Sequence, residues 1–155
     1  MIKVLFVCTG NTCRSPMAEV ILRKKCKLAG LKNVKVSSAG LNATVGSKMS
    51  ENSVIALKKM GYITRNFKSK QINARLLLEN DVIVCMTENH KMAIYDFPNV
   101  YSINELTALG DVFDPYGQDV MAYVKASHQI EDACNILLSL ILEGKLPKRL
   151  IGEEN

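Results

Sequence analysis

No stretch of this sequence is long and apolar enough to cross a membrane, and the apolar opening from Met1 to Val7 is too short for a signal-peptide core followed by a cleavage site. A cytoplasmic protein without a membrane partner is expected. No low-complexity tract, tail or linker interrupts the 155 residues, whose 48% hydrophobic and 23% charged make-up is that of a folded soluble chain. That length suits one domain spanning 1–155 rather than two. The five cysteines, at 8, 13, 26, 85 and 134, are an odd number with neither the paired spacing of a disulfide framework nor that of a zinc site, so reduced thiols are expected. Aromatics amount to 6%, and no nucleic-acid-binding signature accompanies the net charge of +5. Attraction to phosphorylated substrates accounts for that charge without nucleic acid, and the densest basic run, Arg23-Lys24-Lys25-Cys26-Lys27, reads as a solvated helix face. Neither histidine, His90 or His128, has a carboxylate or cysteine arranged beside it, which predicts surface or helix-end roles for both.

What is present is an alternation of short β-branched runs with helical periodicity. Lys3 to Val7 reads as a buried strand that stops at a Gly-Asn turn signal. Ser15 as N-cap and Pro16 in the first turn open a helix with an apolar stripe of Met17, Val20, Ile21 and Leu28, ended by Gly30. A strand from Val34 to Ser38, a helix from Ser50 to Met60 before Gly61, and a strand from Asp81 to Met86 follow. A helix over about Glu88 to Asp96, a short strand at Val100 to Ile103 and a long helix from Asp119 to Glu143 complete the chain, the last with Val120, Val124, Ile130, Cys134, Leu137 and Ile141 facing the core. Such alternation predicts a three-layer α/β/α fold around a four-stranded parallel sheet with right-handed crossovers. Cys26 and Cys134 read as packing residues.

The first strand-to-helix junction carries the chemistry. Cys8-Thr9-Gly10-Asn11-Thr12-Cys13-Arg14-Ser15 places a thiol where the strand ends and a guanidinium where the helix begins. Backbone N–H groups between them, together with the helix dipole, make an anion site sized for a phosphoryl group. There the Cys8 thiol is expected to ionise readily and attack phosphorus, while the planar fork of Arg14 holds two phosphoryl oxygens. Gly10 and Asn11 suit the positive-φ geometry of a tight loop, and the Ser15 hydroxyl can donate to the sulfur. Expelling the leaving group needs an acid, for which Asp111 and Asp114 are candidates. Asp114 sits in the turn Phe113-Asp114-Pro115-Tyr116-Gly117 beside an aromatic, whereas Asp111 reads as a capping or solvated residue.

Three segments, Val7 to Glu19, Ser38-Ala39-Gly40 and Asp114-Pro115-Tyr116-Gly117, resemble the low-molecular-weight protein tyrosine phosphatases over nearly the whole chain. The resemblance implies a phosphocysteine intermediate on Cys8, phosphoryl binding by Arg14, and Asp114 acting first as acid and then as base. It further implies that Thr9, Gly10, Asn11, Thr12, Cys13, Ser15 and Tyr116 bind substrate or phosphate and that Asn11 and Ser38 brace the loop. Cys13 matches a neighbour able to trap oxidised Cys8 as a reversible disulfide. Phosphorylated proteins are the implied partners, no metal or organic cofactor is needed, and a monomer or weak dimer is expected.

Tyrosine-specific members carry a bulky aliphatic residue where this chain has Thr12, and the protein-arginine phosphatases resemble it in having threonine, which points to phosphoarginine with phosphotyrosine as the alternative. Gly117 replaces a second tyrosine, Leu41 to Thr44 lacks a rim aromatic, and Phe67 stands where many relatives have a bracing histidine. Two other readings compete. A thiol-dependent arsenate reductase would use Cys85 as a relay, but Met86 to Asp96 holds no second cysteine, so Cys85 reads as a buried strand residue. A non-catalytic phosphate-binding module would not need Cys8, Arg14 and Asp114 together.

Overall fold

The computed structural model describes residues 1–147. Four strands, β1 (Ile2–Cys8), β2 (Val34–Gly40), β3 (Val82–Cys85) and β4 (Val100–Ser102), form one all-parallel sheet in the order β2-β1-β3-β4. Six helices connect and cover them: α1 (Arg14–Leu28), α2 (Glu51–Lys59), α3 (Ala74–Glu79), α4 (Glu88–Met92), α5 (Ile103–Thr107) and α6 (Val120–Leu142).

Alternation along β1 builds the layers. Val4, Phe6 and Cys8 face a core that also holds Met17, Ile21 and Leu22 of α1, Leu57 of α2, and Ile130, Cys134 and Leu137 of α6. Leu5 and Val7 face the opposite side, where Ile83 and Cys85 of β3 pack with Leu77 of α3 and Ile94. The sheet is therefore buried on both faces, which is why β1 and β3 read as continuous apolar runs rather than alternating ones. The chain leaves β1 toward β2 on one side and returns to β3 on the other, so the carboxyl end of β1 opens into the crevice where such sheets bind ligands.

Several expectations need correction. α1 begins at Arg14 with Cys13 in the N-cap position, so Ser15 lies inside its first turn, where its hydroxyl is free for other partners. Leu28 is exposed at the end of α1 rather than part of its apolar stripe. The fourth helix stops at Met92, short of Asp96, and Ile103 opens α5 instead of ending β4. Neither α3 nor α5 was visible as a helix in the sequence; each has at most six residues, too few for a period to show. Cys26 and Cys134 do pack in the core, Cys85 is fully buried in β3, and all five cysteines are free thiols.

Candidate active site

β1 delivers Cys8 to the top of the sheet, and the next residues turn back over it to start α1 at Arg14. The turn needs one left-handed residue, and this is Asn11 (φ 55); Gly10, expected to share that role, does not adopt a positive φ. The absence of a side chain matters instead at Gly40, where a Cβ would stand 2.6 Å from the Thr9 carbonyl oxygen and 3.0 Å from the Asn11 nitrogen.

A cleft of about 300 Å³ lies against the loop, lined by Cys8, Thr9, Gly10, Thr12, Cys13 and Arg14 on one side and by Asp114 and Tyr116 on the other. Among the described residues, the N–H groups of Gly10, Thr12 and Cys13 meet no protein acceptor, which leaves them for an anion. Asn11, Ser15 and Ser38 lie beneath the cleft with no exposed surface.

Those three residues fix the direction of a hydrogen-bond chain. Asn11 Oδ1 accepts from the Lys70 N–H at 2.9 Å, so its amide cannot be turned around without setting donor against donor. Its Nδ2 therefore donates to Ser15 Oγ and to Ser38 Oγ, both at 2.9 Å. Ser15 Oγ, already accepting from Asn11, lies 2.9 Å from Cys8 Sγ, where its own proton can be given to the sulfur. Ser38 likewise donates to Glu19 Oε1 at 3.0 Å, and Arg23 closes the chain 3.1 Å from the second Glu19 oxygen. A thiolate at Cys8 would find a hydroxyl donor in place at Ser15.

Arg14 is buried, with one guanidinium nitrogen 3.3 Å from the Val112 carbonyl and another 3.5 Å from Asp114 Oδ2. The Asp114 carboxylate is steered from its other oxygen, which accepts the Tyr116 N–H at 3.1 Å, and Gly117 (φ 76) closes that turn. The segment is pinned by Val112 N–H to Met86 O at 2.9 Å and by Phe113 N–H to Gln129 Oε1 at 2.8 Å. Asp114 remains more than half exposed, able to exchange a proton with a bound group or water. Asp111 takes the capping role foreseen for it, accepting the first N–H of α4 at 3.0 Å.

The Cys13 sulfur lies 3.5 Å from Ser50 Oγ and 3.7 Å from the buried Tyr123 hydroxyl, whose pKa burial and the Cys13 thiol push up to about 12. The Cys85 thiol is likewise raised to about 12, chiefly by burial, which agrees with a packing role.

Four contributors were not found in the sequence. Ser69 donates to the Asn11 carbonyl at 2.7 Å and the Lys70 N–H to its side chain, bracing the loop while Phe67 packs against the core. Glu19 anchors the network below. His90 sits in the last turn of α4, the helix-end place expected for it, but is buried rather than on the surface, with Nε2 3.0 Å from Thr9 Oγ1. Only Glu19 lies within the motif itself; the others sit 58 to 81 residues from their partners, beyond any local signal. His128 is exposed, as expected.

A cysteine beside a hydroxyl, a ring of free amides and a buried guanidinium, met by a half-exposed carboxylate at the end of a parallel sheet, are the parts of a cysteine-based phosphoryl-handling hydrolase. A family model described as low molecular weight phosphotyrosine protein phosphatase matches residues 3–148. The chain is 35% identical over 136 residues to a protein-arginine-phosphatase of Bacillus subtilis, covering 83% of this chain and 89% of that protein. It is 34% identical to the low molecular weight protein-tyrosine-phosphatase PtpB of Staphylococcus aureus, covering 89% and 96% respectively. The crystal structure of a YwlE mutant from Bacillus subtilis superposes with a TM-score of 0.86 at 31% identity, covering 92% of this chain and 99% of that one. The chain belongs to the low molecular weight phosphotyrosine protein phosphatase family and is a protein phosphatase, a hydrolase. Among the described residues no helix is long and apolar enough to cross a membrane.

Proposed function

We propose that this protein removes phosphate from phosphoarginine in proteins through a phosphocysteine intermediate on Cys8. In the first step the Cys8 thiolate forms an S–P bond as the N–P bond breaks, and Asp114 gives its proton to the departing guanidine nitrogen. In the second, Asp114 takes a proton from water, whose oxygen bonds to phosphorus while the S–P pair returns to Cys8 and inorganic phosphate leaves. Arg14 and the free amides of Gly10, Thr12 and Cys13 hold the phosphoryl oxygens in both steps. Thr9 and Tyr116 form the walls, and the hydrogen-bond chain through Ser15, Asn11 and Ser38 keeps the sulfur supplied with a donor.

The observation that favours arginine is Thr12, a half-buried residue on the cleft wall between Cys8 and Arg14. A short side chain with a hydroxyl leaves room for a planar polar guanidinium and offers it an acceptor, whereas a phenyl ring gains little from a hydroxyl. The open rim agrees, because Tyr116 stands with Gly117 rather than a second aromatic beside it. Phosphotyrosine is the second reading, carried by PtpB, whose identity to this chain nearly equals that of the arginine phosphatase.

Side-by-side assay of phosphoarginine and phosphotyrosine peptides tests this. The wild type is expected to prefer phosphoarginine, and Thr12→Ile to move the kcat/KM ratio toward phosphotyrosine by about tenfold or more, the scale on which pocket contacts discriminate. An unmoved ratio rejects the selector role of Thr12, and unchanged hydrolysis by Cys8→Ser rejects the intermediate.

A further inference from the structure

Positive charge is concentrated in the first half of this chain, where residues 1–75 hold fifteen lysines and arginines against two carboxylates. Residues 41–75, which run from the end of β2 through α2 to α3, hold seven lysines and arginines against one carboxylate, Glu51, a net +6 where the whole chain carries +5. Of those seven cations only Arg75 pairs with a carboxylate, Glu79 at 2.8 Å, among the described residues. Six like charges kept on one segment without partners repel one another, a cost that an anionic partner removes.

The same segment is bonded directly to the phosphate loop. Leu41 N–H reaches Cys8 O and Asn42 N–H reaches Thr9 O, both at 2.9 Å; Ser50 N–H reaches Thr12 O at 2.9 Å, and Ser69 Oγ reaches Asn11 O at 2.7 Å. Between these attachment points a cleft of about 380 Å³ is walled by the exposed side chains of Lys48, Arg65 and Lys68, with Met49, Val54 and Phe67 as an apolar floor. Lys48 precedes Ser50 by two residues, so its Cα lies within about 8 Å of the residue bonded to Thr12, and Lys68 is the immediate neighbour of Ser69. A substrate backbone advances about 3.3 Å per residue when extended, so positions three to five away from the phosphorylated residue lie roughly 10–17 Å from it, the range over which a cleft bonded to the same loop is to be sought.

We propose that Lys48, Arg65 and Lys68 form a docking cleft for an acidic stretch of the phosphoprotein substrate, a few residues from the phosphorylated position. The inference rests on the protein-phosphatase reading of the adjacent site and adds the kind of sequence that site is brought to. The apolar floor takes the methylene stem or ring of a residue whose neighbours are carboxylates, and the cations speed encounter as well as hold the complex.

The test uses paired peptides with the same phosphorylated residue, one with Asp and Glu at positions three to five away and one with Ser and Gln there. Both phosphoarginine and phosphotyrosine pairs are assayed, so the flank effect is a ratio within each pair and does not depend on which phosphoresidue is preferred. At low ionic strength the acidic member is expected to have a kcat/KM about tenfold higher, mostly through KM, and added salt to shrink the ratio. The triple variant Lys48→Glu/Arg65→Glu/Lys68→Glu is expected to abolish the ratio. The milder Lys48→Gln/Arg65→Gln/Lys68→Gln should reduce it, with folding of both checked by circular dichroism. A control of equal charge change, Lys27→Glu/Lys32→Glu/Lys35→Glu at the opposite end of β2, is expected to keep the ratio. Wild type showing no acidic preference, or a control losing it as fully as the cleft variants, overturns the proposal. So does tighter binding of a single-stranded oligonucleotide than of the acidic peptide at the same three residues. Failure of the protein-phosphatase reading would look different, as no hydrolysis of any phosphopeptide by the wild type.

Discussion

Gly40 has no side chain, and the loop over Cys8 is built around that gap. A Cβ at this position would stand 2.6 Å from Thr9 O and 3.1 Å from the Ala43 Cβ, and the oxygen belongs to a backbone that carries the free amides. Neither neighbour can yield as the tip of a flexible side chain would, so in Gly40→Ala the loop itself moves. Displacing a reacting arrangement by about 1 Å costs on the order of a hundredfold in rate, and overpacking a filled site costs roughly 1–3 kcal/mol of stability. We expect Gly40→Ala to show both losses, in kcat/KM for an aryl phosphate and in the urea midpoint. Gly10→Ala, where the nearest atom to a Cβ is Thr12 Oγ1 at 3.8 Å, should keep its midpoint close to that of the wild type. Similar midpoints for the two variants would refute the packing argument. The glycine inside the phosphate loop thus has room, and the one at the end of β2 has none.

Among the elements, α2 joins its own stability to the shape of the loop through one residue. Ser50 caps α2 by accepting the Ser53 N–H at 3.3 Å, and its own N–H holds Thr12 O at 2.9 Å. The two functions separate by substitution. Ser50→Ala removes the cap and keeps the N–H, so it should cost about 1 kcal/mol of stability with kcat/KM nearly intact. Ser50→Pro fits the backbone at φ −57 yet also deletes the N–H, so Thr12 loses its tether and kcat/KM should fall roughly tenfold or more. Equal activities in the two variants would show that the tether does not shape the loop. The helix was readable in the sequence from its apolar period, with Ser50 taken as its first residue rather than its cap, whereas the tether joins residues 38 apart and leaves no local trace. The same division runs through the fold. Four strands and the long helices were legible from β-branched runs and 3.6-residue periodicity, while α3 and α5 were too short to show a period. Of the site, Cys8 through Arg14 was legible because β1 and α1 bring it together in one contiguous stretch, and Ser69, Lys70 and His90 were not, because only the folded sheet places them there.

At the scale of the whole molecule, His90 ties the α4 side of the sheet to the phosphate loop and makes folding sensitive to acid. Burial first, and then the Arg14 guanidinium, lower its pKa from 6.5 to about 4, with Asp114 and Asp111 pulling weakly the other way. The unfolded chain takes up a proton near pH 6.5 that the folded chain refuses until about pH 4. Stability is therefore fully present above pH 6.5 and is lost as pH falls through the window between the two values. Carboxylates contribute to acid unfolding as well, so the informative quantity is a difference between proteins. His90→Asn keeps an amide able to bond the Thr9 hydroxyl but has nothing to titrate. Urea unfolding at pH 7, 6 and 5 should show the wild type losing stability more steeply than His90→Asn, with the two curves converging toward pH 5. Parallel curves would mean that His90 is protonated in the folded protein or open to water, and either would remove it from the loop's support. The same variant separates support from mere burial by kinetics: a contact that positions Thr9 lowers kcat at pH 7, where the imidazole is neutral, whereas one that only fills space leaves kcat unchanged while the midpoint shifts.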